Sequence, residues 1–209
     1  MNAVGAPRVV GFGDGSESAF GGCVYLVWKV ACEKNCPGND HSEDCPGRFE
    51  AHLVLGKSRV SPLSGFTVPR AELSGALLTS RLIYRVVRSL QSLDTPPCSS
   101  IELLDSECTI STLRNSSTIL RPFFNNRRSE ILENFEKINE MCEVEDLHWI
   151  STNDNVADIL TRGTTKLDDI GPNSTWFRGP IFLSFRRMVW PVKKDFLTKN
   201  CQRKKLNLC

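Results

Sequence analysis

The sequence predicts a mixed α/β fold of five strands and three helices. Two features carry that prediction. Apolar runs of strand length cluster before residue 61 and recur at 101–105 and 147–150, and two longer segments repeat apolar residues every three or four positions. A third feature gives the fold a purpose: Asp14, Glu72, Asp105 and Asp158 each fall where one of these segments begins or ends.

The run Val9-Val10-Gly11-Phe12-Gly13-Asp14 reads as the first strand. Gly15, Gly21 and Gly22 then permit a tight turn into Cys23-Val24-Tyr25-Leu26-Val27-Trp28-Lys29-Val30, so the pair is expected to form a hairpin, with Gly11 and Gly13 also serving it. After a polar stretch from Glu33 to Gly47, Ala51-His52-Leu53-Val54-Leu55 makes a third strand that extends toward Val60, which implies an antiparallel meander. Pro69 starts a helix, because its missing N–H is an orphan donor there in any case. Leu73, Ala76, Leu77, Ser80, Tyr84, Val87 and Leu90 give that helix one buried face. Ile101 to Asp105 forms a fourth strand after Pro96-Pro97. A second helix is expected from Asn125, with Ile131, Phe135, Ile138 and Cys142 on one side. Leu147 to Ile150 forms the fifth strand, and Asn153 or Asp154 is expected to cap a last short helix through Asp158 that Gly163 stops. The expected order is β-β-β-α-β-α-β-α.

With 209 residues, 40% of them hydrophobic and 24% charged, the chain has globular composition and enough material for a real core. No apolar run reaches the roughly 20 residues that span a bilayer, and no signal region is visible, so a soluble intracellular protein with no membrane association is expected. The net charge of +2 conceals an asymmetry: from Trp176 onward there are nine Lys/Arg against one acid. A basic tail on a mildly acidic body suits a polyanionic partner, although a solvated tail has the same composition. The nine cysteines follow no disulfide framework and are expected to be reduced.

Four carboxylates gathered in one place repel one another, so they either hold protons or attract a cation. Hard divalent ions meet that need: Mg²⁺ takes oxygen ligands and keeps waters, and two such ions can activate a water and stabilise a leaving oxygen in phosphodiester hydrolysis. Taken singly, Asp14 could be a turn residue, Glu72 and Asp158 first-turn helix acids, and Asp105 a cap. Their joint placement argues for one site. His41, His52 and His148 form no nucleophile–base arrangement, and no phosphate-binding or dinucleotide glycine motif is present.

Several stretches match one family together: Gly11-Phe12-Gly13-Asp14-Gly15-Ser16 with Phe20-Gly21-Gly22; Gly56-Lys57-Ser58-Arg59-Val60-Ser61-Pro62-Leu63; and Val68-Pro69-Arg70-Ala71-Glu72-Leu73. Leu104-Asp105-Ser106, Asn126-Arg127-Arg128-Ser129-Glu130-Ile131 and Asn155-Val156-Ala157-Asp158-Ile159-Leu160-Thr161-Arg162-Gly163 complete the set. Over residues 8 to 163 the chain resembles the ribonuclease H region of BEL/Pao-type long-terminal-repeat retrotransposon polyproteins. The resemblance implies a ribonuclease H-like sheet, with three antiparallel strands followed by two parallel to the first. It further implies two Mg²⁺ or Mn²⁺ ions held by Asp14, Glu72, Asp105 and Asp158, and hydrolysis of the RNA strand of an RNA–DNA hybrid. On this reading Asp14 bridges both ions, Glu72 and Asp105 complete the substrate-side site, and Asp158 holds the ion that activates water. Selectivity for RNA would come from contacts to 2′-hydroxyls.

Residues 1–165 are expected to form this domain, and 166–209 a basic extension toward a downstream region, because Ser174-Thr175-Trp176-Phe177-Arg178-Gly179-Pro180 and Trp190-Pro191 resemble the join to integrase. Reverse transcriptase and integrase regions of a parent polyprotein are the implied partners, the chain alone being monomeric. Ser16, Arg70, Ser106, Arg127, Arg128 and Arg162 are the candidate nucleic-acid contacts, the arginines through phosphates. Two departures from the family stand out. Cellular relatives usually carry a histidine before the last Asp, where this chain has Ser151-Thr152-Asn153-Asp154, so slower turnover is expected. The insert at about 32–47 carries Cys32, Cys36, His41 and Cys45, a spacing near a zinc knuckle without matching it, so Zn²⁺ is the lesser expectation and incidental thiols the greater. The competing reading of the whole is a silent remnant that binds nucleic acid or protein.

Overall fold

The computed structural model describes residues 3–30, 49–93, 96–115, 119–163 and 166–193. Its five strands are β1 (Ala3–Gly15), β2 (Ala19–Val30), β3 (Phe49–Val60), β4 (Ser99–Leu104) and β5 (Glu143–Trp149), in the spatial order β3-β2-β1-β4-β5. β1 runs antiparallel to β2, and β2 to β3, whereas β4 lies parallel to β1 and β5 parallel to β4. This is the mixed sheet the sequence implied. β1 and β4 are central, and successive residues of β1 bury opposite ways: Val9 meets the helices, while Val10 and Phe12 belong to a separate cluster on the other face. The Cys/His set at 32–45 lies outside the described residues.

One face of the sheet carries α1 (Val68–Gln91) and α3 (Pro122–Asn139), with α2 (Glu107–Arg114) beside them. Both long helices have proline in their first turn. α3 starts at Pro122 rather than Asn125, which corrects the expected boundary and puts Arg127 and Arg128 in its second turn. α2 is absent from the expected order. Eight residues that include Thr109, Ile110 and Thr112 have weak helix propensity, and the helix forms because the Ser106 side chain accepts a 3.2 Å bond from the Thr109 N–H. Gly11 and Gly13 have a different role from the one expected. Instead of serving the hairpin they clear a path for α1: a β-carbon at Gly11 would stand 2.5 Å from Ile83, and one at Gly13 would stand 2.7 Å from the Thr79 hydroxyl.

The opposite face is closed by the chain's later segment. Phe182, Leu183 and Trp190, all nearly fully buried, pack with Val10, Phe12, Tyr25, Ile101 and Leu103. Burying each large apolar side chain contributes roughly 1.5–3 kcal/mol. The Tyr25 hydroxyl donates to the Trp176 carbonyl at 2.5 Å, and Trp149 bridges to Lys193. Residues 166–193, set apart by composition, are therefore part of the same core; 194–209 lie outside the described residues. A charged hub anchors this segment. Glu145 accepts from Arg8 at 2.7 Å, from Ser99 at 2.7 Å and from Arg187 at 2.9 Å, and both guanidiniums lie over the Trp190 ring. Burial acts to raise the Glu145 carboxyl, but the Ser99 hydroxyl and the two arginines outweigh it and hold it below its usual value. Among the described residues no helix is long and apolar enough to cross a membrane.

Two tests follow from this packing. A β-carbon at Gly75 would run into the Asp14 backbone, so Gly75→Ala should cost about 3 kcal/mol, readable by urea unfolding; an unchanged midpoint would refute the close approach. The second concerns Glu102 on β4, which is 1% exposed with both carboxylate oxygens unpartnered. Burial pushes its carboxyl well above the ordinary 4.5. The folded state therefore holds a proton that the unfolded state has released, and stability falls as pH rises above 4.5 toward the folded value. Glu102→Gln should remove that component, so the loss of stability toward neutral pH is smaller in the variant. Parallel pH profiles for both proteins would contradict the assignment.

Candidate active site

Four segments converge at the C-terminal ends of β1 and β4. The parallel register sets Gly13 against Leu104, so Asp14 and Asp105 follow side by side on adjacent strands. The first turn of α1 lies directly on the end of β1: a β-carbon at Gly15 would collide with the backbone of Ala71 and Glu72. This contact brings Glu72 to the same corner, where its Oε2 accepts the Ser106 hydroxyl at 2.7 Å. Asp158 arrives on a single 3₁₀ turn, Val156–Leu160. That turn is capped by Asn155, not by Asn153 or Asp154 as expected; Thr152–Asp154 forms a separate 3₁₀ turn capped by Ser151.

Asn155 and Thr161 are the residues that sequence reasoning overlooked, although both stand inside a motif it used. Asn155 is nearly fully buried; its Nδ2 donates to the Gly13 carbonyl at 3.1 Å, and its Oδ1 accepts from the Ala157 N–H at 3.2 Å. It thereby ties the turn bearing Asp158 to the strand bearing Asp14. The Thr161 hydroxyl bonds to Asp14 Oδ2 and lies 3.1 Å from the Asp158 carbonyl. A buried polar residue next to a candidate acid is a signal that spacing alone does not expose.

The electrostatics match a crowded acidic corner. Burial raises the Asp14 carboxyl; the Thr161 hydroxyl opposes this, while the charges of Asp105 and Asp158 add to it. Burial likewise raises Asp105, opposed by hydrogen bonds from Thr152 and Asn155 and reinforced by Asp158. Three of the four acids therefore feel one another's charge. Arg162 forms an ion pair with Asp158 one turn away. Among the described residues no group of three or more His, Cys, Asp or Glu is arranged as ready metal ligands. His148 is buried, and burial together with nearby Arg187 lowers it to about 4, so it stays neutral near pH 7.

The remaining candidates have partners within the chain. Ser16 donates to the Thr161 carbonyl at 3.1 Å and accepts from the Ser18 and Ala19 N–H groups, so it fastens the hairpin turn to the last motif. Ser106 caps α2 as it reaches Glu72. Arg70 donates to the Gly65 carbonyl at 2.6 Å and Arg128 to the Leu113 carbonyl at 3.3 Å. Arg127 reaches Ser74 at 3.2 Å and stacks 3.5 Å above the Phe123 ring.

Two central parallel strands ending in aspartates, extended by an antiparallel meander and joined by a helix whose first turn brings a glutamate, define a ribonuclease H-like domain. Residues 2–101 match the model of the Pao retrotransposon-like RNaseH-like domain, the family that the motifs resemble. Similar solved structures include the N-terminal RNase H domain of rv2228c from Mycobacterium tuberculosis, solved as a fusion with maltose binding protein. That structure shows 12% identity and a TM-score of 0.45, with 75% of this chain and 91% of that chain covered. RNase H1 from the archaeon Halobacterium salinarum shows 11% identity and a TM-score of 0.40 over 75% of this chain and 94% of that one. LC11-RNase H1, isolated from compost and solved with an RNA/DNA hybrid, shows 16% identity and a TM-score of 0.40 over 74% and 93%. No curated protein sequence matches the chain significantly.

Removing the Thr161 hydroxyl should expose the repulsion it offsets. In Thr161→Val the Asp14 carboxyl should titrate at higher pH than in the parent, followed by carboxyl-carbon NMR; an unmoved titration would show that Thr161 does not stabilise the ionised form.

Proposed function

We propose that this domain is a metal-dependent endoribonuclease that hydrolyses the RNA strand of RNA–DNA hybrids, as part of the reverse transcription of a retrotransposon. What supports the reading is the pair Asp14 and Asp105 at the ends of β1 and β4, both raised by burial and by the charge of Asp158, with the first turn of α1 that bears Glu72 packed on the end of β1. Buried, mutually repelling carboxylates are a donor set that suits a hard divalent cation and little else. Asp14, Glu72 and Asp105 would hold one Mg²⁺ or Mn²⁺, and Asp14 with Asp158 a second. Bound there, the ions supply Lewis acidity to a phosphoryl oxygen and a water acidic enough to attack it.

The chain's own residues prepare that chemistry. Thr161 and Asn155 fix where Asp14, Asp105 and Asp158 stand relative to one another. Ser106 orients Glu72. Arg162 neutralises Asp158, and once a cation takes over that task its guanidinium is free for a substrate phosphate. Arg70 and Arg127, both over the Phe123 ring, are suited to a second phosphate contact. A retrotransposon polyprotein with reverse transcriptase and integrase regions is the working context inside the cell that goes with this reading, in keeping with the Pao retrotransposon-like match, the domain alone being read as a monomer.

Cleavage of an end-labelled RNA–DNA hybrid in Mg²⁺, with duplex DNA as a control, tests the reading. The parent should cut the RNA strand only, and Asp105→Asn should lose activity by about a hundredfold or more, the scale of removing one electrostatic group from an active site. Failure of the parent to cut the hybrid in either Mg²⁺ or Mn²⁺ would leave the silent binding module as the better account.

A further inference from the structure

Away from the catalytic corner, the outward face of α1 carries charge that the fold leaves unanswered. Arg81, Arg85 and Arg88 stand on it at three- and four-residue spacing, all exposed. Like charges so spaced repel and weaken a helix. Among the described residues neither Arg85 nor Arg88 has an ion-pair partner, and only Arg81 has one, Glu130 at 2.5 Å. The neighbouring α3 differs: its exposed Glu133 and Lys137 pair at 2.7 Å.

Two concave surfaces meet at Arg81. One, of about 330 Å³, lies between the sheet edge, α1 and α3, and is lined by Phe20, Arg59, Ser74, Arg81, Arg127 and Glu130 among others. The second, of about 660 Å³, continues along α1 past Arg81, Tyr84, Arg85, Arg88, Ser89 and Ser92. Glu130 is the one acid lining either surface, against five arginines. The crowding registers at Arg127, which burial and the charges of Arg81 and Arg70 push below its ordinary value with Glu130 alone opposing. Every base on the outward face of α1 is arginine, whose planar fork matches phosphate oxygens in pairs.

Dimensions favour a nucleic-acid backbone. With a rise of 1.5 Å per residue, Arg81 to Arg88 spans about 10 Å. One strand of a duplex presents about three phosphates over that length. The track begins about 14 Å along α1 from Glu72, so it meets phosphates several nucleotides from the scissile bond. We propose that this arginine track on α1 holds the phosphodiester backbone of nucleic acid outside the stretch being cut, independently of sugar and base. The proposal rests on the reading of the chain as an enzyme of nucleic acid.

The test compares the parent with an Arg81→Gln, Arg85→Gln, Arg88→Gln variant, and with the same three positions changed to lysine, after thermal unfolding has shown that all three fold. Binding to labelled hybrid and to duplex DNA is measured across a KCl series, with cleavage kinetics on the hybrid alongside. The glutamine variant should show a salt dependence of log K lower by about two to three and a KM about tenfold higher, with kcat within about twofold of the parent. The lysine variant should keep most of the salt dependence. Unchanged binding in the glutamine variant would overturn the proposal and leave the track to an acidic protein partner; a lysine variant as impaired as the glutamine one would also overturn it. Should the parent cut no hybrid while duplex binding still loses its salt dependence in the glutamine variant, the catalytic reading fails and the track stands. Should the parent cut hybrid with KM and salt dependence unmoved by the glutamine changes, the track fails alone.

Discussion

The contact on which the rest of the molecule depends is the backbone-to-backbone approach of α1 to the end of β1. Helices usually rest on a sheet through side chains; here Gly15 faces Ala71 and Glu72 directly, and Gly75 faces Asp14. The Thr79 hydroxyl reaches the Phe12 carbonyl at 3.1 Å, which secures the helix one turn further along. Each glycine in a regular element costs about 0.5–1 kcal/mol relative to alanine, a cost the fold accepts so that a glutamate on a helix can stand beside an aspartate on a strand. Sheet register then sets the third acid, because parallel pairing of β1 with β4 leaves Asp105 no other place.

Carboxylates in this protein have two different fates, and the contrast separates architecture from chemistry. Glu145 is surrounded by Arg8, Arg187 and Ser99 and is held in its charged form, so it serves as a fastener. Asp14 and Asp105 are surrounded by other acids and by neutral donors that only partly offset the repulsion. Thr161, Thr152 and Asn155 keep the acids in position without cancelling their charge. A guanidinium in place of Asn155 would instead offset the repulsion among the acids and lower their carboxyls.

Much of the fold was legible because its signals are local. Short apolar runs mark all five strands, three-to-four-residue spacing marks both long helices, and Pro69 marks the start of α1. α2 was not legible: its stability comes from a serine cap and burial of Ile110 and Leu113 rather than from its own propensity. Gly11 and Gly13 were misread for a related reason, since what forbids a side chain there is a helix some seventy residues later. The motifs marked the four acids as candidates, and the ends of β1 and β4 set Asp14 and Asp105 on neighbouring strands. The donors that arrange them were not legible, because a hydrogen bond between Asn155 and Gly13 joins positions 142 apart in the chain and has no periodicity to reveal it.

Phe182, Leu183 and Trp190 close the sheet's second face and come last in the described chain, whereas the residues they cover lie between Val10 and Leu103. Synthesis therefore releases a sheet with one dressed side and one bare side. α1 and α3 can settle as soon as they emerge, but Phe12, Tyr25 and Ile101 stay open to solvent until Trp190 has been made. For that interval the nascent chain leaves that face of the sheet bare. The segment expected to be an appendage is, in order of birth, the cover that closes the sheet's second face.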